Sequence, residues 1–121
     1  MSRSKLKLYG YKKCSTCRKA EKALIELGID YQYIDITETP PSATALKKWV
    51  KSSELDPKKL FNTSGEQYRS LGIKHQLPEL TQADIFKMLA GNGRLIKRPI
   101  VTDGTHATVG FKEPIFLETW G

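Results

Sequence analysis

The sequence is poor in the features that define several protein classes. Two cysteines in 121 residues are too few for a disulfide-stapled secreted scaffold, and nine glycines with six prolines fit neither collagen nor a low-complexity chain. No run approaches the roughly 18 consecutive apolar residues of a membrane span. The opening Met1-Ser2-Arg3-Ser4-Lys5 has no apolar stretch resembling a secretory signal. A cytoplasmic protein that does not enter the membrane is therefore expected. Internal repeats and Gly/Ser linkers are also missing, so nothing divides the chain. What is present suffices for a core: 39% hydrophobic residues, with 9% of the chain aromatic and an ordinary charged fraction of 27%. One domain over residues 1–121 is expected.

The formal charge of +7 is concentrated at one end. Residues 1–25 hold eight basic residues against Glu21 alone, and the remaining chain is balanced. The excess surrounds Cys14 and Cys17, where positive charge lowers a thiol pKa or attracts an anionic partner. Direct nucleic-acid binding is not expected, because no stacking aromatics interleave with the basic residues and no helix-turn-helix or RNA-binding signature is readable.

Periodicity supplies the architecture. Lys5 to Tyr11 alternates polar and apolar residues and predicts a first strand. From Ser15 to Leu27, Cys17, Ala20, Ala23, Leu24 and Leu27 recur at helical spacing, and Gly28 is placed to stop the helix. Ile29 to Ile36 predicts a second strand, parallel to the first, which makes a βαβ unit. From Thr37 to Gly91 the pattern is helical. Ala45, Leu46, Trp49 and Val50 mark one helix after Pro40-Pro41-Ser42, and Asp56-Pro57 starts a short one. Leu60 to Gly65 turns the chain, Tyr68 and Leu71 anchor another short helix, and Thr81 to Asp84 resembles a capping box. Leu80, Ile85, Met88 and Leu89 form the expected buried stripe of the helix that follows. Ile100-Val101-Thr102 and Ala107 to Gly110 flank an Asp103-Gly104 turn as a hairpin. Lys112 to Trp120 closes as a helix, with Ile115, Phe116 and Trp120 apolar. The order is that of an α/β, thioredoxin-like βαβ…ββα core, residues 1–37 and 94–121, with an inserted helical subdomain at 38–93.

Cys14-Ser15-Thr16-Cys17 follows a strand and opens a helix, the setting in which CxxC reads as redox chemistry. Unpaired N–H groups and the positive helix end stabilise an anion there, so Cys14 is the expected nucleophile, with Lys12, Lys13 and Arg18 acting the same way. Cys17, one turn on, is placed to resolve a mixed disulfide. No metal site is expected, since a structural zinc takes about four N/S ligands and only His75, read as a loop residue, and His106, in the hairpin turn, accompany the cysteines. Pro99 directly precedes a strand, and cis peptide bonds are nearly always X-Pro, so Arg98-Pro99 is the candidate cis bond. Arg98 would then be carried towards the cysteines, where its guanidinium could bind an oxyanion, a glutathione carboxylate or the thiolate.

Tyr9-Gly10-Tyr11-Lys12-Lys13-Cys14-Ser15-Thr16-Cys17-Arg18-Lys19-Ala20, with Arg98-Pro99-Ile100-Val101 and Val109-Gly110-Phe111, resembles the ArsC/Spx family of thioredoxin-like proteins. Leu60 to Gly65, followed by Tyr68 and Leu71-Gly72, resembles the central segment of its arsenate-reductase-related branch. The resemblance implies chemistry at Cys14 and no bound cofactor, with glutathione, a glutaredoxin or a thioredoxin as electron donor. The family's arsenate reductases place three arginines around the oxyanion. Here only Arg98 matches, the first falls near Lys58, the third near Gly110, and the family's histidine before the cysteine falls on Gly10. A lysine is a point charge and glycine supplies none, so the oxyanion clamp is weakened.

The leading expectation is a thiol-disulfide oxidoreductase acting on a thiol or disulfide substrate. Cys14 and Cys17 would be catalytic, and Arg98, Pro99, Arg18, Lys58 and Lys13 would contact the substrate. The Spx branch implies a different alternative, a redox-sensing regulator that binds the RNA polymerase α subunit. Spx proteins usually run on past the last helix, whereas this sequence ends at Gly121. A glutathione- or glutaredoxin-dependent arsenate reductase is the third reading.

Overall fold

The computed structural model describes residues 6–63 and 65–121, so Lys5 of the expected first strand and Ser64 of the expected turn lie outside the described residues. β1 (Leu6–Gly10) leads into α1 (Ser15–Glu26) and returns through β2 (Tyr31–Asp35). Gly28, at φ 69, supplies the left-handed residue that ends α1, and the Ile29 N–H closes onto the Leu24 carbonyl at 3.0 Å. β1 and β2 run parallel from Leu6↔Tyr31 to Gly10↔Asp35.

β3 (Ile100–Thr102) and β4 (Ala107–Val109) form the expected hairpin, and β3 pairs antiparallel with β1, giving the order β2-β1-β3-β4. Asp103 fixes the turn, its Oδ1 accepting the N–H groups of Thr105 and His106. α6 (Glu113–Trp120) closes the chain, with proline in its first turn. This is the thioredoxin-like arrangement, and β1, at its centre, aims its C-terminal end at the cysteines.

Strand alternation divides the core in two. On one face Leu6, Leu8 and Val101 pack against Ala20 and Leu24 of α1 and Phe116 and Trp120 of α6. On the other, Tyr9 and Ile100 join Leu46, Trp49 and Val50 of α2 (Ala43–Ser53) and Ile85, Phe86 and Leu89 of α5 (Gln82–Gly91). Fully burying such a side chain stabilises the fold by about 1.5–3 kcal/mol. The helical segment therefore shares a core with the sheet.

The segment's local structure follows its caps. Ser42 Oγ accepts the Ala45 N–H at the start of α2, and Asp56 caps a 3-10 turn over Pro57–Leu60. Thr81 and Asp84 complete a reciprocal capping box on α5. Several expectations need correction. Phe86 joins Ile85 and Leu89 in the buried stripe of α5, and the expected Met88 and Leu80 pack against the same core but are only partly buried. Leu71 is 48% exposed just after α3 (Glu66–Ser70), so Tyr68 alone anchors that helix in the core. His75 is not in a loop but in α4 (Ile73–Gln76), where Ile73 is fully buried. Ile115 is 53% exposed, because a helix this short turns only Phe116 and Trp120 inward.

The return from helices to sheet sets up the site. Residues 60–62 run beside 95–97, with a bridge Phe61↔Ile96 and bonds Asn62 N–H to Leu95 O at 2.7 Å and Lys97 N–H to Leu60 O at 2.6 Å. Gly93 passes so close to the end of β2 that a β-carbon there would overlap the Ile36 carbonyl. The chain is thus held at two points immediately before Arg98-Pro99.

Candidate functional site

β1 ends at Gly10, and the turn Tyr11–Cys14 closes with the Cys14 N–H on the Tyr11 carbonyl at 3.0 Å. Cys14 is then the N-cap of α1, extended at φ −91, and its Sγ accepts the Cys17 N–H at 3.3 Å. An orphan helix N–H is thereby spent on sulfur, an arrangement that favours negative charge at that atom. Both thiols are free, Cys14 half-buried and Cys17 buried against the sheet. Burial, then the hydrogen bond with Cys14, pushes the Cys17 thiol up to about 12 from its ordinary value, while the Tyr11 backbone and Arg98 work the other way. The two cysteines are thus chemically unequal, one presented to solvent and one held back as a neutral thiol.

Cys14 opens into a cavity of about 590 Å³. Its charged lining is Lys13, Lys97, Arg98 and Lys112, with no carboxylate among the lining residues. Arg98 enters through a cis peptide bond to Pro99, as its sequence position led one to expect. The guanidinium carbon lies 5.3 Å from the centroid of the Tyr11 ring, a cation–π contact that fixes the group's plane. Among the described residues its Nη1 is buried without a hydrogen-bond partner. A buried, unsatisfied cationic donor is costly, and an anion in the cavity would relieve it.

Cys14, Arg98 and Lys13 line this one cavity, Cys17 stands behind Cys14 through its N–H bond to Sγ, and Pro99 enters only as the cis-bonded neighbour of Arg98. Arg18 does not join them in this cavity: its Nη2 donates to the Lys12 carbonyl at 3.0 Å, and it borders a separate cleft with Glu21 and Tyr33. Lys58 is exposed on the 3-10 turn and is absent from the cavity lining. His106 lies in the hairpin turn, and among the described residues no three His, Cys, Asp or Glu side chains converge as metal ligands. Sequence reasoning missed Lys97, Lys112 and Tyr11. Adjacency to Arg98 was the available signal for Lys97, and membership of the turn that ends at Cys14 was the signal for Tyr11; Lys112 is brought in by tertiary packing.

Comparison with known proteins places this geometry in a family. The ArsC family model matches residues 9–119. The uncharacterized protein YusI of Bacillus subtilis (strain 168) is 50% identical over 115 residues, covering 95% of this chain and 98% of that one. The global transcriptional regulator Spx of Streptococcus pyogenes serotype M1 is 29% identical over 100 residues, 83% of this chain and 73% of Spx. Among solved structures, that of a possible arsenate reductase from Streptococcus mutans UA159 superposes with a TM-score of 0.84 at 42% identity, covering 90% of this chain and 92% of that one. The match extends over both the cysteine turn and the Arg98-Pro99 segment, and this chain belongs to the ArsC family.

Proposed function

We propose that the protein is a thiol-disulfide oxidoreductase in which Cys14 is the nucleophile and Cys17 the resolving thiol. The observation that carries this reading is a helix-capping Cys14 in a cavity whose charged lining residues are all cationic, with Cys17 buried one turn behind it. The Cys14 thiolate attacks one sulfur of the substrate disulfide. That S–S bond breaks, and the departing thiolate takes a proton from water. Cys17 then loses its proton and attacks Cys14 Sγ, releasing the second substrate thiol and leaving a Cys14–Cys17 disulfide. Two electrons have passed from the protein's dithiol to the substrate. Glutathione, a glutaredoxin or a thioredoxin returns them.

Arg98 supplies a rigid cation for an anionic group on the substrate, Lys13 adds charge at the cavity rim, and Pro99 shapes the edge on which the substrate lies. The test is reduction of 2-hydroxyethyl disulfide coupled to glutathione and glutathione reductase. Cys14→Ser is expected to abolish turnover, whereas retention of full activity by that variant would refute the assignment.

The likeness to Spx over 83% of the chain favours one second reading, a redox sensor whose disulfide state alters binding to the RNA polymerase α subunit. Titration calorimetry of the reduced and oxidised protein against the α C-terminal domain separates the two. Dedicated arsenate reduction has less support, because among the described residues Arg98 is the one arginine in the cavity lining and Gly110 contributes no side chain. Arsenate-dependent NADPH consumption in a coupled assay is expected to be absent.

A further inference from the structure

A second depression adjoins the cysteine cavity. It encloses about 600 Å³ and runs along β4 between the C-terminal end of α2, the 3-10 turn at Pro57–Leu60, and α6. Lys97, Val109, Gly110 and Lys112 border both spaces, so the two are direct neighbours on either side of these residues. Leu55, Leu60, Val109, Ile115 and Phe116 make the second space largely apolar. Ile115 is conspicuous there, 53% exposed on a helix whose neighbouring Phe116 is buried.

β4 is one of the two outer strands of the sheet, β2 being the other. The Gly110 N–H bonds the Pro99 carbonyl at 2.8 Å and the Asp103 N–H bonds the His106 carbonyl, so positions 106, 108 and 110 face β3. Ladder alternation then turns the N–H and C=O of Ala107 and Val109 outward. Ser53 Oγ covers one of these, accepting the Ala107 N–H at 2.8 Å. Val109 is the outward position nearest the cysteines, and an extended peptide can pair with such an open edge.

Charge is graded along the depression. Arg98, Lys97 and Lys112 lie at the Cys14 end, and the buried Arg98 Nη1 lacks a partner there. Lys97 crosses directly above Gly110: a β-carbon at 110 would stand 3.1 Å from Lys97 Cε and 3.7 Å from its Nζ. The position that sequence register pairs with a third arginine is thus covered by a lysine ammonium from the neighbouring strand entry. At the far end Glu54 and Asp56 lie in the groove beside Lys59 and His106, so charge there is mixed and a polyanion such as nucleic acid finds no continuous cationic track along its length.

We propose that the disulfide acted on here belongs to an extended polypeptide segment that places a carboxylate beside Arg98 and Lys97 and an apolar side chain in the β4 groove against Ile115. This rests on the thiol-disulfide reading of Cys14 and names its substrate class: an acidic cysteine segment of a protein, larger than a free oxyanion. The chemistry is that of the dithiol exchange above, with the peptide's mixed disulfide as oxidant and the Cys14–Cys17 pair as reductant. Lys97 is the specificity-determining residue for the acid, and Ile115 for the apolar side chain.

The probes are four fluorescein-labelled octapeptides, each with one cysteine blocked as its methyl disulfide. They carry Glu or Gln beside the cysteine, combined with Leu or Ser three residues away on both flanks. Binding is followed by fluorescence anisotropy on the Cys14→Ser protein, in which serine remains a good N-cap. The Glu/Leu peptide is expected to bind about tenfold more tightly than either singly replaced peptide. Ile115→Ser in that background should bring the Leu-to-Ser ratio near unity, and Lys97→Met should do the same for the Glu-to-Gln ratio. Equal affinity for all four peptides, or ratios that neither variant moves, would overturn the proposal. Reduction of the same peptides by the unsubstituted protein is scored separately. Selective binding without reduction upholds the groove and refutes the reductase reading, whereas reduction without selectivity upholds the reductase reading and refutes the groove.

Discussion

The Cys17 sulfur occupies space that Gly10 leaves by having no side chain: a β-carbon at position 10 would stand 3.2 Å from Cys17 Sγ, 3.1 Å from the Tyr33 hydroxyl and 2.9 Å from Leu8 Cδ2. Leu8 is fully buried and its end has nowhere free to move. Position 10 is therefore small because this chain fills that space with a thiol and a phenol. Gly10→Ala is expected to lower stability by about 1–3 kcal/mol through overpacking. Urea unfolding of the reduced protein reads this directly, and an unchanged midpoint would mean that the Cys17 pocket is looser than described.

The raised Cys17 thiol has two consequences for pH. Thiolate is the attacking species, so resolution of a Cys14 mixed disulfide should accelerate about tenfold per pH unit between pH 7 and 9. Stopped-flow release of the bound thiol tests this, and a flat profile would contradict it. The second consequence concerns stability. An acid raised from 9.0 to about 12 favours the folded state fully below its unfolded value, and that contribution is lost as pH climbs through the folded one. Above about pH 9 the reduced protein should therefore lose thermal stability more steeply than Cys17→Ala. Tyr31 and Tyr33, also pushed up to about 12, mainly by burial, add to the alkaline loss in both proteins; Cys17 also raises Tyr33, so the difference in slope reports Cys17 together with its effect on that phenol.

Arg98→Gln removes the guanidinium whose Nη1 is buried without a partner. Charge-assisted hydrogen bonds contribute about 1.5–3 kcal/mol, so KM for the anionic glutathione disulfide should rise by about tenfold or more. The rise should be smaller with uncharged 2-hydroxyethyl disulfide. Equal effects on the two substrates would assign Arg98 to positioning the cysteines rather than to binding an anion.

Gly93→Ala tests the close approach behind the site. Its β-carbon would overlap the Ile36 carbonyl, a backbone atom that cannot rotate aside. The expected loss exceeds about 3 kcal/mol, at the severe end for a single substitution. Thermal unfolding is the readout, and a loss under 1 kcal/mol would show that the 93–95 turn relaxes freely.

The parts of the site that were legible in the sequence are those set by local chemistry. The strand before Cys14, the helix after it, the glycine stop at 28 and the Asp103-Gly104 hairpin all follow from patterns within a few residues. Pro99 was legible because only proline commonly takes the cis form. Arg18 and Lys58 show the limit of that reasoning. Arg18 is next to Cys17 in sequence, yet a helix turns successive side chains apart, and it binds the Lys12 carbonyl beside a different cleft. Lys58 sits where register suggests, but on the exposed side of its turn. Lys97 and Lys112 reach the cavity through pairing of residues 95–97 with 60–62 and through the docking of α6, long-range contacts that leave no periodic trace.

The central claim is that Cys14 and Cys17 form a working dithiol. The most direct measurement is a glutathione redox titration, acid-quenched and alkylated, with the state of each cysteine read by mass spectrometry. The account predicts a single two-electron transition to a Cys14–Cys17 disulfide, at a potential within the cytosolic range of roughly −220 to −320 mV. Thiols that stay free across the titration, or a Cys14–glutathione adduct that Cys17 never resolves, would contradict it.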